Sequence, residues 1–164
     1  MDTATLVSAW DLLVGMNQGH FMLYTDEPHT VDPREKSRIV QAAVSGTGIA
    51  QHFGTVVVTS PHQKNYAMGL RVEVFDAHPD DDLDDWQEAF ELDLPVKTSG
   101  LIYDSPGMSS FKIPVRPGEQ HLLITGLGFS DHDRPSAETP GDRWRIRLWP
   151  CEEHHQSTRL KAAS

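Results

Sequence analysis

The segment "AMGLRVEVFD", Ala67 to Asp76, decides the fold class, because Leu70, Val72 and Val74 alternate with Arg71, Glu73 and Phe75. A period of two sends successive side chains to opposite faces, so this is a strand with one face on a core and the other largely in water. The pattern recurs on either side of it. "TVVVT", Thr55 to Thr59, is a β-branched run suited to a central strand. "FELDLPV" sets Phe90, Leu92 and Leu94 against Glu91 and Asp93, and Pro95 marks an edge position or a strand end. "FKIPV" and "RWRIRLWP" alternate likewise, the second with Trp144, Ile146 and Leu148 inward. "LLVGMNQGHFMLY", Leu12 to Tyr24, reads as one bulged strand or two short ones, with Gly15 and Gly19 allowing the bend. A short segment at Ile49 to Gln51, "LIYD" and "QHLLITGLGF" complete the set.

Helical periodicity is scarce. Residues 25–35 hold two prolines and several turn formers, and "KSRIVQAAV" after them reads as a helix of about two turns, ended by Ser45-Gly46. Short apolar runs separated by Gly and Pro point to an all-β fold: a two-sheet antiparallel β-sandwich of about eight strands with at most one short helix. Residues 1–151 form that single domain. Residues 152–164 are a polar tail without a period, expected to be flexible.

At 164 residues the chain is large enough to bury roughly two thirds of its unfolded surface in one core. Its one cysteine, Cys151, allows neither an internal disulfide nor a cysteine zinc site and suits a reducing compartment, so the expected location is the cytoplasm. The start of the sequence lacks a basic signal-peptide region, and no apolar run nears the ~18 residues of a membrane span. With 24 acidic against 14 basic residues the net charge is −10, which repels nucleic-acid phosphates and draws in basic proteins.

The acidic residues concentrate in "HPDDDLDDWQEAFE", His78 to Glu91. Counted from Asp80, carboxylates fall at the first, third, fifth and twelfth positions (Asp80, Asp82, Asp84, Glu91), as in a calcium-binding EF-hand loop. The sixth position breaks the match: a sharp turn needs Gly there and Asp85 occupies it, while Pro79 stands where an entering helix would run. A looser calcium site would pool Asp80, Asp82 and Asp84 with Asp131 and Asp133 from a second loop. The plainer reading is a solvated connection between strands, with one helical turn, pinned by Leu83 and Trp86.

Other chemistry is weakly signalled. The nine histidines lack zinc-ligand spacing, there is no nucleophile elbow, and Cys151 has no activating neighbour in sequence. The "GTG" at 46–48 and "GLG" at 126–128 lack the third glycine and following helix of a phosphate cradle. Arg143, Arg145 and Arg147 share one face of their strand, with Trp149 beside them. That stripe either binds an acidic ligand or pairs with Glu73, Glu91 and Asp93 across the sheet.

Taken in order, "NQGHFMLYTDE", "GTVVVTS", "LRVEVFDAHP", "WQEAFELDL", "SGLIYD" and "RIRLWP" resemble a group of small actinobacterial all-β proteins. At greater distance the layout is similar to the competence protein J family, inhibitors of a DNA-entry nuclease. The resemblance spans residues 11–151 and implies a β-sandwich that binds a protein, without cofactor or catalytic residues. The expectation is therefore a non-enzymatic binder, an inhibitor or immunity-type partner of a basic protein such as a nuclease. Its contact residues are Asp80, Asp81, Asp82, Asp84, Asp85 and Trp86: the aspartates steer and the tryptophan anchors. The alternative is a calcium- or carbohydrate-binding module using loops at one end of the sandwich.

Overall fold

Gly19, at φ 73°, sits in the turn where the chain leaves one sheet for another. The stretch read as one or two strands is two: β1 (Leu6–Met16) belongs to a six-stranded sheet and β2 (His20–Tyr24) to a five-stranded one. The computed structural model describes residues 3–16, 19–25, 31–61, 66–97, 100–105, 109–129, 142–152 and 156–163. The remaining elements are α1 (Pro33–Ser45), β3 (Ile49–His52), β4 (Thr55–Thr59), β5 (Tyr66–Phe75), β6 (Glu88–Val96), β7 (Gly100–Ser105), β8 (Ser109–Pro114), β9 (Gly118–Leu127), β10 (Arg143–Pro150) and β11 (Thr158–Lys161).

The larger sheet has the order β1-β5-β10-β9-β6-β11 and the smaller β3-β4-β2-β7-β8. Their facing sides share one core, where β5 supplies Leu70 and Val72, β6 Phe90, Leu92 and Leu94, and β10 Trp144, Ile146 and Leu148. The alternation read from the sequence thus assigns these faces correctly. β4 is an interior strand, buried at all five positions, because its second face is covered too. α1 packs Ile39 and Ala43 against Val57, Met22, Tyr24 and Ile102.

Five expectations are corrected. The described residues form eleven strands rather than about eight, and they are not uniformly antiparallel, since β10 runs parallel to β5. The larger sheet curls as a half-barrel, so the two-sheet arrangement departs from a plain sandwich. The helix has thirteen residues. Pro33 opens it, where a missing N–H costs nothing, and Asp32 caps it by accepting the Arg34 N–H at 2.8 Å. Finally, the tail contributes β11, which pairs antiparallel with β6 at Ala89–Glu91. Pro95 lies past the end of β11, on a stretch of β6 whose only strand partner among the described residues is β9.

Candidate functional site

The connection from β5 to β6 folds back over the outer face of the larger sheet, opposite the core. Asp76 begins it: its backbone N–H donates to the Thr5 carbonyl, and its carboxylate accepts the Thr5 N–H at 2.6 Å. That backbone donor holds the Asp76 carboxyl below its ordinary range. A single 3-10 turn follows at Leu83–Asp85, closed by the Trp86 N–H on the Leu83 carbonyl.

Asp82 makes the main anchor. Its two oxygens accept both terminal nitrogens of Arg145 at 2.6 Å, and Arg147 approaches at 3.4 Å. Hydrogen bonding to Arg145 pulls the Asp82 carboxyl below its ordinary range, so it is a full anion at neutral pH. The Arg145 guanidinium in turn lies 4.5 Å from the centre of the Trp86 ring, sandwiched between sheet and loop. Arg147 donates to the Asp80 carbonyl at 3.0 Å, and Lys161, from β11, donates to the Leu83 carbonyl at 3.0 Å.

Two of the stripe's three arginines, Arg145 and Arg147, pair within the molecule, and one of them takes a partner that strand alternation could not reveal. Arg147 reaches Glu73 at 3.1 Å across the parallel β5–β10 pair, as the cross-strand reading expects, but Arg145 takes the loop's Asp82 instead. Arg71 extends the array, bonded to Glu73 at 2.6 Å and Asp11 at 2.8 Å. Glu91 and Asp93 face a histidine: His121 contacts Asp93 through Nδ1 and Glu91 through Nε2 at 3.4 Å, and it packs on Trp149.

This arrangement sorts the six residues picked from the sequence into two groups. Asp82 and Trp86, both half-buried, contact Arg145 and so fix the loop on the sheet. Asp80, Asp81, Asp84 and Asp85 are exposed, and among the described residues the only ion pair of their carboxylates is Asp81 with His78 at 3.8 Å. Two of these exposed carboxylates thus precede the 3-10 turn and two sit within it, on a loop whose backbone carbonyls are held by Arg147 and Lys161 and whose Asp82 side chain is held by Arg145. Sequence reasoning missed Lys161 and Arg145 as positioning residues; the outward parity of Arg145 was its only signal.

The calcium reading loses Asp82 to Arg145, and its second loop, Asp131 and Asp133, lies outside the described residues. Among the described residues no group of three or more His, Cys, Asp or Glu is arranged to hold a metal ion. Cys151 lies beside Asp93, the carboxylate that His121 also contacts, a composition that invites a nucleophile. Burial, with the Asp93 carboxylate second, pushes its thiol up to about 11, so it is protonated at neutral pH and a poor nucleophile.

No protein-family model matches the chain, and no curated protein matches it in sequence. Two solved structures are similar in fold. ComJ from Bacillus subtilis, the inhibitor of the DNA-degrading activity of NucA, superposes with a TM-score of 0.62 at 11% identity, over 90% of this chain and 100% of ComJ. The protein of crocagin biosynthetic gene J superposes with a TM-score of 0.61 at 12% identity, over 88% of this chain and 98% of its own. At such identities the likeness establishes a shared fold: this chain has the two-sheet β architecture of ComJ and of the crocagin protein.

Proposed function

We propose that this chain is a non-enzymatic binder of a basic protein, of the kind that inhibits a nuclease, and that Asp80, Asp81, Asp84 and Asp85 form its contact surface. The observation that carries the reading is the division of labour in the acidic connection. Asp82 is fastened to Arg145 while the four neighbouring aspartates are exposed. A loop held in place before binding loses little conformational entropy when a partner arrives, so its charges act at full effect. The net charge of −10 adds a long-range field that accelerates encounter with a cationic surface. Trp86 serves this surface from beneath by stacking on Arg145 rather than by reaching outward. The fold shared with ComJ, whose described role is inhibition of a DNA-degrading activity, supports the nuclease as partner class. A protein with one cysteine and such a partner belongs in a reducing compartment, and we assign it to the cytoplasm.

The test is a pull-down at low and high salt with the wild-type chain and with Asp80, Asp81, Asp84 and Asp85 changed together to Ser. Asp82 is left in place so that the loop keeps its anchor. The captured protein is expected to be basic, to lose its nuclease activity in the complex, and to bind at least tenfold more weakly to the variant. Retention of the same partner with equal affinity by the variant would remove the loop from the account.

A further inference from the structure

A cleft of about 490 Å³ opens between the two sheets on the side where their edge strands β1 and β8 approach each other. Ligand pockets span roughly 300–1,000 Å³ and are mostly apolar with a few placed polar groups. Val7 and Val74 line this one from the larger sheet, Pro114, Val115 and Pro117 from the end of β8 and the connection after it, and Pro150 from the end of β10. Proline has a fixed φ and no N–H, so much of the lining is stiff and offers no backbone donor. Val7 owes its place to the bulge between Leu6 and Ser8. Alternation with Trp10, Leu12 and Val14, which pack on the core, would send Val7 to the outer face; the extra residue re-aims it, and it lines the cleft while 62% exposed. Two polar groups give the cleft a direction. Gln120 shares the inward parity of Leu122 and Ile124 on β9 and is 3% exposed. Its amide nitrogen donates to the Arg116 carbonyl at 3.3 Å, and its amide oxygen has no hydrogen-bond partner among the described residues. The exposed Arg116 side chain has no ion pair among the described residues, whereas Asp76, the other charged residue of the lining, already accepts the Thr5 N–H.

We propose that this cleft binds a small monocarboxylate whose apolar body carries a single N–H or O–H donor. The body rests on the valine and proline lining, the carboxylate meets the Arg116 guanidinium, and the donor meets the Gln120 amide oxygen. Each polar group of the ligand thus answers a protein group that lacks a partner, and a buried acceptor left unpaired favours any ligand that supplies the missing hydrogen bond. The fork of an arginine matches a carboxylate in two parallel bonds, which fixes the ligand's orientation. The net charge of −10 opposes an anion at long range, but at about 0.15 M salt it is screened beyond ~8 Å, and contact with Arg116 is not. The four exposed aspartates of the acidic connection take no part, so this site and the nuclease-binding reading stand or fall separately.

Amide chemical-shift titration of the full chain tests the site with four probes. Indole-3-acetate, tryptophol and tryptamine share one body and differ in charge, and 1-naphthaleneacetate keeps the carboxylate but lacks the N–H. Indole-3-acetate is expected to saturate with a Kd of about 1 mM or tighter. It is expected to shift the amides of Val7, Ser8, Val115, Arg116 and Gln120 and to leave those of residues 80–86 in place. Tryptophol is expected to bind about tenfold more weakly and 1-naphthaleneacetate about fivefold more weakly, with tryptamine weakest of the four. Arg116→Gln changes an exposed side chain and keeps the carbonyl that Gln120 uses, so it is expected to fold and to bring indole-3-acetate down to the affinity of tryptophol. Shifts that fail to saturate by about ten times that Kd, equal binding of 1-naphthaleneacetate, a preference for tryptamine, or an Arg116→Gln protein that still favours indole-3-acetate would overturn the proposal.

Discussion

Asp81 and Asp82 are neighbours of one chemistry with opposite roles. Asp82→Asn keeps the shape but removes the anion from a guanidinium that is itself 8% exposed, and is expected to cost about 2–3 kcal/mol in urea unfolding at pH 7. Asp81→Asn, with its side chain 74% exposed, is expected to leave the unfolding midpoint unchanged. The sign of the pH dependence follows from the lowered Asp82 carboxyl. Its stabilisation is complete above the unfolded value near pH 3.9 and disappears as pH falls through the lower folded value. The gap between wild type and Asp82→Asn, followed by urea melts from pH 7 to pH 2, is therefore expected to close only in that acid range. Cys151 has a kinetic signature: its alkylation rate is expected to climb until the pH nears 11 instead of levelling near 8.5–9. Gly126 is a packing case. A Cβ there would meet the Phe129 ring at 2.9 Å and the Trp144 indole at 3.0 Å, so Gly126→Ala is expected to cost about 1–3 kcal/mol in thermal or urea unfolding.

At the scale of elements, β11 joins stability to the candidate site. Arg159 forks onto Glu88, a carboxylate with no exposed surface, at 2.6 and 2.8 Å, and the Ala163 N–H adds a bond at 2.9 Å. Arg159→Ala strands that carboxylate in the interior, for an expected loss of about 3–5 kcal/mol in urea. Releasing β11 also frees Lys161 from the Leu83 carbonyl, so amide exchange is expected to speed up at 83–85 in the same variant. The sequence hid this strand because its pattern is inverted: Arg159 and Lys161 point to partly buried positions while Leu160 is exposed at 41%. Hydropathy alternation detects strands whose buried face is apolar, and β11 buries cations. The first half of β1 escaped detection for a related reason, since a free edge leaves Leu6 and Val7 in water. The helix start is hidden among turn formers, because Pro33, a loop signal by composition, is the first residue of α1 behind its Asp32 cap.

For the whole molecule, what the sequence determined by itself is what depends on local pattern and on composition. The period of two in 67–76, 90–94 and 144–148 assigned side chains to the core face, and the −10 charge set the sign of any electrostatic partner. Tertiary structure decided everything that depends on which strand lies beside which. Asp82 and Arg145 are 63 positions apart, and no local signal pairs them. Only the neighbouring placement of β5 and β10 brings the acidic connection over the arginine stripe. That juxtaposition separates four exposed carboxylates from the two residues that contact Arg145, a distinction invisible in "DDDLDDW" itself. The physical reason is range. Alternation and charge count are properties of a few adjacent residues, whereas the worth of a charge depends on its solvation and on the partner that the folded chain brings within about 3 Å.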